Sequence, residues 1–438
     1  MIASEHKNLA RETMDFALQH GANARISIIS GTNSAFEYRD NTLDKLQQAA
    51  ENRMEIELFV DSRYGSYSTN RMDRESLFKF TLSAIESTRY LDKDPEKTLP
   101  EFSRCYQGKM FTLDTYDPDF KNIAIDAKLE LAKNQIDEIF GVDERIISIS
   151  SEYNDGESFL YMIASNGFEG ETAHSTCSLY ASVAMKGAND SRPSAYWHDS
   201  ALYLNDLTTV GIGKTAYEKT LQKLNQTKIA SGKYPMLLDN TQSVRLLTPL
   251  ISALNGYALQ QENSFLIDKL NEKIISEKVT VVDNPHIDRA FGARMFDDEG
   301  VATKKRNIIE KGILNTYFID TYISKKMNIQ PTISSPSVVV FEPGKRPHTE
   351  IMADMDTGIW VTGFNGGNSN SSTGDFSFGI EGFLVENGKP VKPVNEMNIT
   401  GNILSLWNSV LEVGNDPKLN SSKRVPSILF DGVDFSGI

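Results

Sequence analysis

Residues 148–185 read SISSEYNDGESFLYMIASNGFEGETAHSTCSLYASVAM, and polar and apolar positions alternate along most of this stretch. A period of two puts successive side chains on opposite faces of a strand, so this part of the chain is committed to antiparallel sheet. Two tight-turn dipeptides, Asp155-Gly156 and Asn166-Gly167, predict hairpins inside it. Around it lie helical patterns. Ser4–Gln19 reads as a helix with Ser4 as N-cap, Arg74–Tyr90 as a second, and Asp117–Ile139 as a third with Asp117 as N-cap and Pro118 at the first helical position. Short strands are expected near Arg25–Ser30, Phe36–Arg39 and Met54–Val60, and a long loop near 93–117.

KIASGKYPM (228–236) reads as a connector to a second domain. Beyond it, Phe265–Ile275 reads as a short helix, and Lys311-Gly312 and Asn387-Gly388 mark hairpins in a strand-rich region. Helices and strands are segregated rather than alternating, which points to an α+β fold. Two domains are expected, 1–227 with helices on a small sheet and 228–438 rich in strands.

Charge narrows the function. The chain has 438 residues and a net charge of −14, which disfavours direct contact with nucleic-acid phosphates. No stretch is long and apolar enough to span a membrane, and the amphipathic start lacks the apolar centre of a signal peptide. With only Cys105 and Cys177 there is no disulfide framework, and a cytoplasmic location is expected.

Local chemistry is sparse. No two of the six histidines lie within six residues of each other, and none opens an H-E-x-x-H pattern. His348-Thr349-Glu350 has the H-x-E spacing of zinc deaminases without the following P-C-x-x-C. His174 and Cys177 are an odd number apart on a strand, hence on opposite faces. Asp297, Asp298 and Glu299 precede a glycine and form either a weak cation site or a solvated turn. Asn365, Gly366, Gly367 and Asn368 sit in a Gly/Asn/Ser-rich stretch that is either a flexible loop or a groove offering main-chain groups to a peptide.

RLLTPLISALNGYALQQE (245–262) has apolar residues at helical spacing and, between its end residues, only the phenol of Tyr257 as an ionisable group. Pro249 removes a backbone N–H, so the helix either kinks there or restarts with Thr248 as N-cap.

Taken in order, SNGFEGETAHSTCSLYASV, SGKYPMLLD, RMFDDEGVATKKRNIIEKGILNTYFIDTY and TGDFSFGIEGFLVENGKPVKPVNEMNITGNIL followed by VGNDPK resemble the TldD/PmbA family, also called modulators of DNA gyrase. The resemblance spans about residues 145–418. It implies a two-domain fold and a cytoplasmic metallopeptidase acting on unstructured peptides inside a dimer. In such a family TldD-like chains carry H-E-x-x-x-H on the helix after the SGKYPMLLD-type strand and a cysteine near the C-terminus. PmbA/TldE-like chains lack both. Set on this sequence, the motif falls on Thr248, Pro249 and Ala253, and no cysteine follows VGNDPK. The resemblance thus implies a PmbA/TldE-like subunit, holding no zinc itself, with zinc in a TldD-like partner and extended peptides as substrate. Two alternatives remain open: a stand-alone homodimeric peptide-binding or scaffold protein, and a hydrolase using Asp297, Asp298 and Glu299 with a cation.

Overall fold

The structure, a computed structural model, describes residues 1–108 and 113–437. The first half contains α1 (Ser4–Gln19), β1 (Asn23–Arg39), β2 (Thr42–Val60), β3 (Arg63–Thr69), α2 (Arg74–Thr88), α3 (Ile125–Asp137), β4 (Ile146–Ala164), β5 (Glu169–Met185), β6 (Ser194–Ala201) and α4 (Ile212–Gln222). Its strands form an antiparallel sheet in the order β3-β2-β1-β4-β5-β6. The helices cover one face. α1 and α2 pack over Ile26, Ile28, Met54 and Ile56, while α3 and α4 pack over Tyr153, Leu179, Ala181 and Val183.

The second half contains β7 (Gly232–Leu238), α5 (Ser243–Ser252), α6 (Gly256–Gln260), β8 (Val281–Asp283), β9 (Arg306–Glu310), β10 (Ile313–Leu314), α7 (Thr321–Met327) and β11 (Val339–Phe341). There follow α8 (His348–Ala353), β12 (Thr357–Ser369), β13 (Asp375–Glu386), β14 (Lys389–Asn402), α9 (Ile403–Asn408), β15 (Val410–Val413), β16 (Lys423–Arg424) and β17 (Ile428–Ser436). One sheet runs β14-β13-β12-β7-β17-β15, and pairing of β14 with β17 closes five of these strands into a ring. A second runs β10-β9-β8-β11-β16. Two pairings are parallel, β12 with β7 and β11 with β16, between strands too far apart in sequence to be joined by hairpins. A single core takes side chains from both sheets and from α5 and α9, with Trp407 fully buried within it. The chain is α+β, as the sequence indicates.

Several local readings are corrected by pairing. Asp155-Gly156 is not a turn: β4 runs straight through, with Gly156 opposite Asn33 and Thr176. Neither residue has the positive φ that a two-residue hairpin turn requires. Asp155 is buried against Lys128 of α3 at 2.5 Å. The two expected strands Arg25–Ser30 and Phe36–Arg39 are one, because β1 is paired on both sides across the intervening residues. Helix α1 is N-capped by Ala3 rather than Ser4. α3 starts at Ile125, and Asp117 instead bonds the N–H groups of Asp119 and Leu204 at 2.9 and 3.2 Å. No helix forms over 265–275, where Asp268 and Asn271 adopt left-handed φ of 58° and 66° that a helix does not tolerate. The Asn166-Gly167, Lys311-Gly312 and Asn387-Gly388 hairpins form where expected.

The loop over 93–117 joins the halves, though its residues 109–112 lie outside those described. Tyr106 N–H donates to Gly300 C=O, Ala302 N–H to Arg104 C=O, and Arg289 meets Asp114 at 2.7 Å. No helix among the described residues is long and apolar enough to cross a membrane.

The Lys128–Asp155 pair sits under the first sheet, with side-chain exposures of 8% and 1%. Asp155→Ala strands a buried ammonium and is expected to cost about 3–5 kcal/mol in urea unfolding, whereas Lys128→Met with Asp155→Leu, which removes both charges, is expected to be close to neutral.

Candidate functional site

Helix α5 runs from Ser243 through Pro249 to Ser252, and after a break at Ala253–Asn255 the chain resumes as α6, capped by the Asn255 side chain. The restart expected at Thr248 does not occur, since Pro249 lies inside the helix and Thr248 caps nothing. Leu246, Leu247, Leu250 and Ile251 face the core, and this packing holds the helix together although Pro249 offers no N–H to the carbonyl of Arg245. Thr248 Oγ1 donates to Val244 C=O at 2.8 Å and accepts from Lys423 Nζ at 3.3 Å. Ala253 is buried at the end of the helix, where its carbonyl accepts from Ser264 Oγ at 2.6 Å.

These three positions do not fit a metal. Two offer no side-chain donor atom, the third has its hydroxyl proton committed to the backbone, and the Lys423 ammonium lies 3.3 Å from that hydroxyl. Among the described residues, no three His, Cys, Asp or Glu side chains converge into a set able to hold a metal ion.

Asp297, Asp298 and Glu299 are likewise drawn to separate partners. Asp297 is buried; its Oδ1 accepts the N–H groups of Glu299 and Val301 at 2.9 Å and its Oδ2 that of Ser334 at 3.2 Å. Glu299 accepts from the N–H and hydroxyl of Thr321 at 2.9 and 2.8 Å, and burial pushes its carboxyl above the usual range. Asp298 points outward toward Arg294. Gly300 closes the turn at φ +83°.

Of the Gly/Asn-rich stretch, only part is available to a ligand. Gly367 and Asn368 are paired with Phe378 and Ser377 across the β12–β13 hairpin, after a bulge at Asn365 and Gly366. A Cβ on Gly367 would lie 2.1 Å from Ser377 O, so glycine is required there. Gly366 is exposed with open space about it. Asn365 bonds Asn395 at 2.7 Å and borders a cleft.

That cleft, of about 540 Å³, opens between the two halves, a feature sequence reasoning missed because its walls come from strands more than 150 residues apart. One wall is the edge of the first sheet, where Tyr180, Tyr196 and His198 stack at centroid distances of 5.6 and 6.1 Å. The other is the outer face of β12 and β13, with Trp360 against Phe383 at 5.4 Å. The Trp360 indole N–H is shielded and has no acceptor among the described residues. Lys223, at the C-terminal cap of α4, bridges to Glu381 at 2.6 Å across the cleft. Lys418 Nζ lies 3.3 Å from His198 Nε2, and burial lowers the proton affinity of both groups.

Comparison with known proteins decides the lineage. The PmbA/TldA metallopeptidase C-terminal domain matches residues 231–437 and the PmbA/TldA metallopeptidase central domain matches residues 118–224. The chain belongs to the PmbA/TldD family. A crystal structure from Bacteroides thetaiotaomicron, described as a modulator of DNA gyrase, is 54% identical with a TM-score of 0.98 over 100% of both chains. Metalloprotease PmbA of Escherichia coli O157:H7 is 26% identical over 95% of this chain and 92% of its own length. TldE from Thermococcus kodakarensis shares the fold, with a TM-score of 0.87 at 21% identity over 99% of this chain and 100% of its own.

Two predictions follow from these sites. Pro249→Ala supplies the missing helical N–H and is expected to stabilise the chain by about 1–2 kcal/mol, read as a rise in the thermal midpoint. Cys177 is buried with its thiol pushed up to about 12, and burial also raises that of buried Cys105. His174, on the opposite face, gives Cys177 no base. Neither thiol is expected to react with iodoacetamide at pH 8 until the protein is unfolded, as intact-mass analysis would show.

Proposed function

We propose that this chain is the PmbA/TldE-type subunit of a cytoplasmic TldD/TldE-type metallopeptidase acting on unstructured peptides. In this reading it holds no zinc, helps to form the chamber and binds substrate, while a TldD-like partner carries the metal. Its halves, 1–227 and 228–438, act as two domains. What supports the reading is the helix α5, where the resemblance sets the metal ligands and base of a TldD-like chain on Thr248, Pro249 and Ala253. A proline has no proton to exchange and an alanine has no donor. Lys423 beside Thr248 adds a positive charge that opposes a metal ion.

A paired subunit is supported by the outer half of β2. Residues 42–52 are exposed on both faces, Leu43 and Leu46 among them, and β3 pairs only with Met54–Val60. That leaves a long strand edge of the kind soluble proteins normally cover.

The test is zinc content by elemental analysis and cleavage of an unstructured peptide, measured for this chain alone and mixed with the TldD-like chain of the same cell. Expected is less than about 0.1 zinc per chain and no cleavage alone, with cleavage on mixing that is lost on chelation. Stoichiometric zinc with chelator-sensitive activity in the isolated chain would overturn the reading.

A further inference from the structure

The cleft between the halves contains an open strand edge. β6 pairs only with β5, in a register that sets Tyr196 opposite Ser182 and His198 opposite Tyr180. Met185 N–H donates to Pro193 C=O at 3.0 Å, one step beyond that ladder and in the same register. In an antiparallel ladder the hydrogen-bonded pairs alternate. The Met185–Pro193 bond therefore makes Ala195 and Trp197 the residues bonded to β5. It turns the N–H and C=O groups of Tyr196 and His198 away from β5, toward the cleft. The carbonyl of Ser194, on the same outward set, accepts from Lys223 Nζ at 3.0 Å. Among the described residues no main-chain group bonds Tyr196 or His198 from that side.

The charge of the cleft is opposite to that of the chain. The net charge is −14, yet the cleft is bordered by Arg39, Lys219, Lys223 and Lys418 against Glu381. Arg39 is occupied by Glu37 and Asp44, and Lys223 by Glu381. Lys219 and Lys418 remain, with no carboxylate in ion-pair range among the described residues. Both lie by the Trp197 ring, at 4.8 and 5.9 Å from its centroid.

We propose that this cleft captures an acidic, extended peptide segment, which adds as a strand to the outward edge of β6 at Tyr196 and His198 and places carboxylates on Lys219 and Lys418. The open main-chain edge accounts for an extended peptide rather than a free anion, because its donors and acceptors recur at the spacing of a strand. The two lysines without a carboxylate partner account for the acidic character, and the aromatic stack of Tyr180, Tyr196 and His198 supplies apolar surface beside the strand. This specificity rests on the peptide-binding reading above and goes beyond it, since that reading is silent on sequence preference.

The test uses the full-length chain and fluorescein-labelled peptides of roughly ten residues, one alternating Asp and Val and one alternating Lys and Val, in anisotropy titrations at about 150 mM salt. The Asp peptide is expected to bind at least about ten-fold more tightly than the Lys peptide. Lys219→Ala with Lys418→Ala is expected to erase that preference. N-methylation of alternate amides in the Asp peptide, which keeps its charge and leaves the protein untouched, is expected to weaken binding by about ten-fold or more. Equal binding of the two peptides, a preference unchanged in the double variant, or indifference to N-methylation would overturn the proposal and leave peptide binding itself standing. Failure of both peptides to bind would also overturn it, while the subunit role is decided separately by the zinc and cleavage measurements.

Discussion

The indole N–H of Trp407 donates to the carbonyl of Leu246 at 3.2 Å, and this buried bond fixes α5 in the core shared by the two C-terminal sheets. α5 needs such a hold because Pro249 deprives it of an internal hydrogen bond, so packing rather than helix propensity keeps it in place. Much of the local architecture is referred to this helix. Arg245, on its exposed side, donates to the carbonyl of Gly367 at 2.9 Å and lies over the ring of Phe378. The bulge in β12 is thereby tied to the helix, and the bulge in turn sets Asn365 at the border of the cleft.

The same placement explains the chemical character of the helix. At Thr248, Pro249 and Ala253 it presents a threonine bonded to its own backbone, a proline and a buried alanine. Lys423 lies beside Thr248. The chemistry that the polypeptide does present is concentrated elsewhere, between the halves, where two lysines without a carboxylate partner among the described residues lie beside an open strand edge in a cleft bordered by aromatic rings.

Much of the fold was legible where local and tertiary demands agree. The hairpins at Asn166-Gly167, Lys311-Gly312 and Asn387-Gly388 need left-handed backbone at their turns, and the residues there supply it. Asp155-Gly156 carried the same local signal and failed, because β1 and β5 flank β4 on both sides and Lys128 neutralises the buried carboxylate. The middle of β1 was illegible for a different reason. Its residues Gly31–Ser34 are small or polar, so no alternation marks a strand that two neighbours nevertheless pair in full. Over 265–275 the apolar spacing mimicked a helix, while Leu266, Ile274 and Ile275 in fact enter the core from irregular chain with left-handed turns.

The sequence by itself determined the antiparallel character of residues 148–185, the α+β class, the apolar face of α5 and its lack of ionisable groups around Pro249, because each depends on short-range spacing or on side-chain chemistry alone. Only the tertiary structure decided that Asp297 and Glu299 serve backbone donors, that Gly367 and Asn368 are taken up by β13, and that Lys219, Lys418, Tyr196 and Trp360 share one cleft. Those outcomes depend on which strands pair and how two halves of the chain abut. The two walls of the cleft come from strands more than 150 positions apart, and no local pattern encodes their meeting.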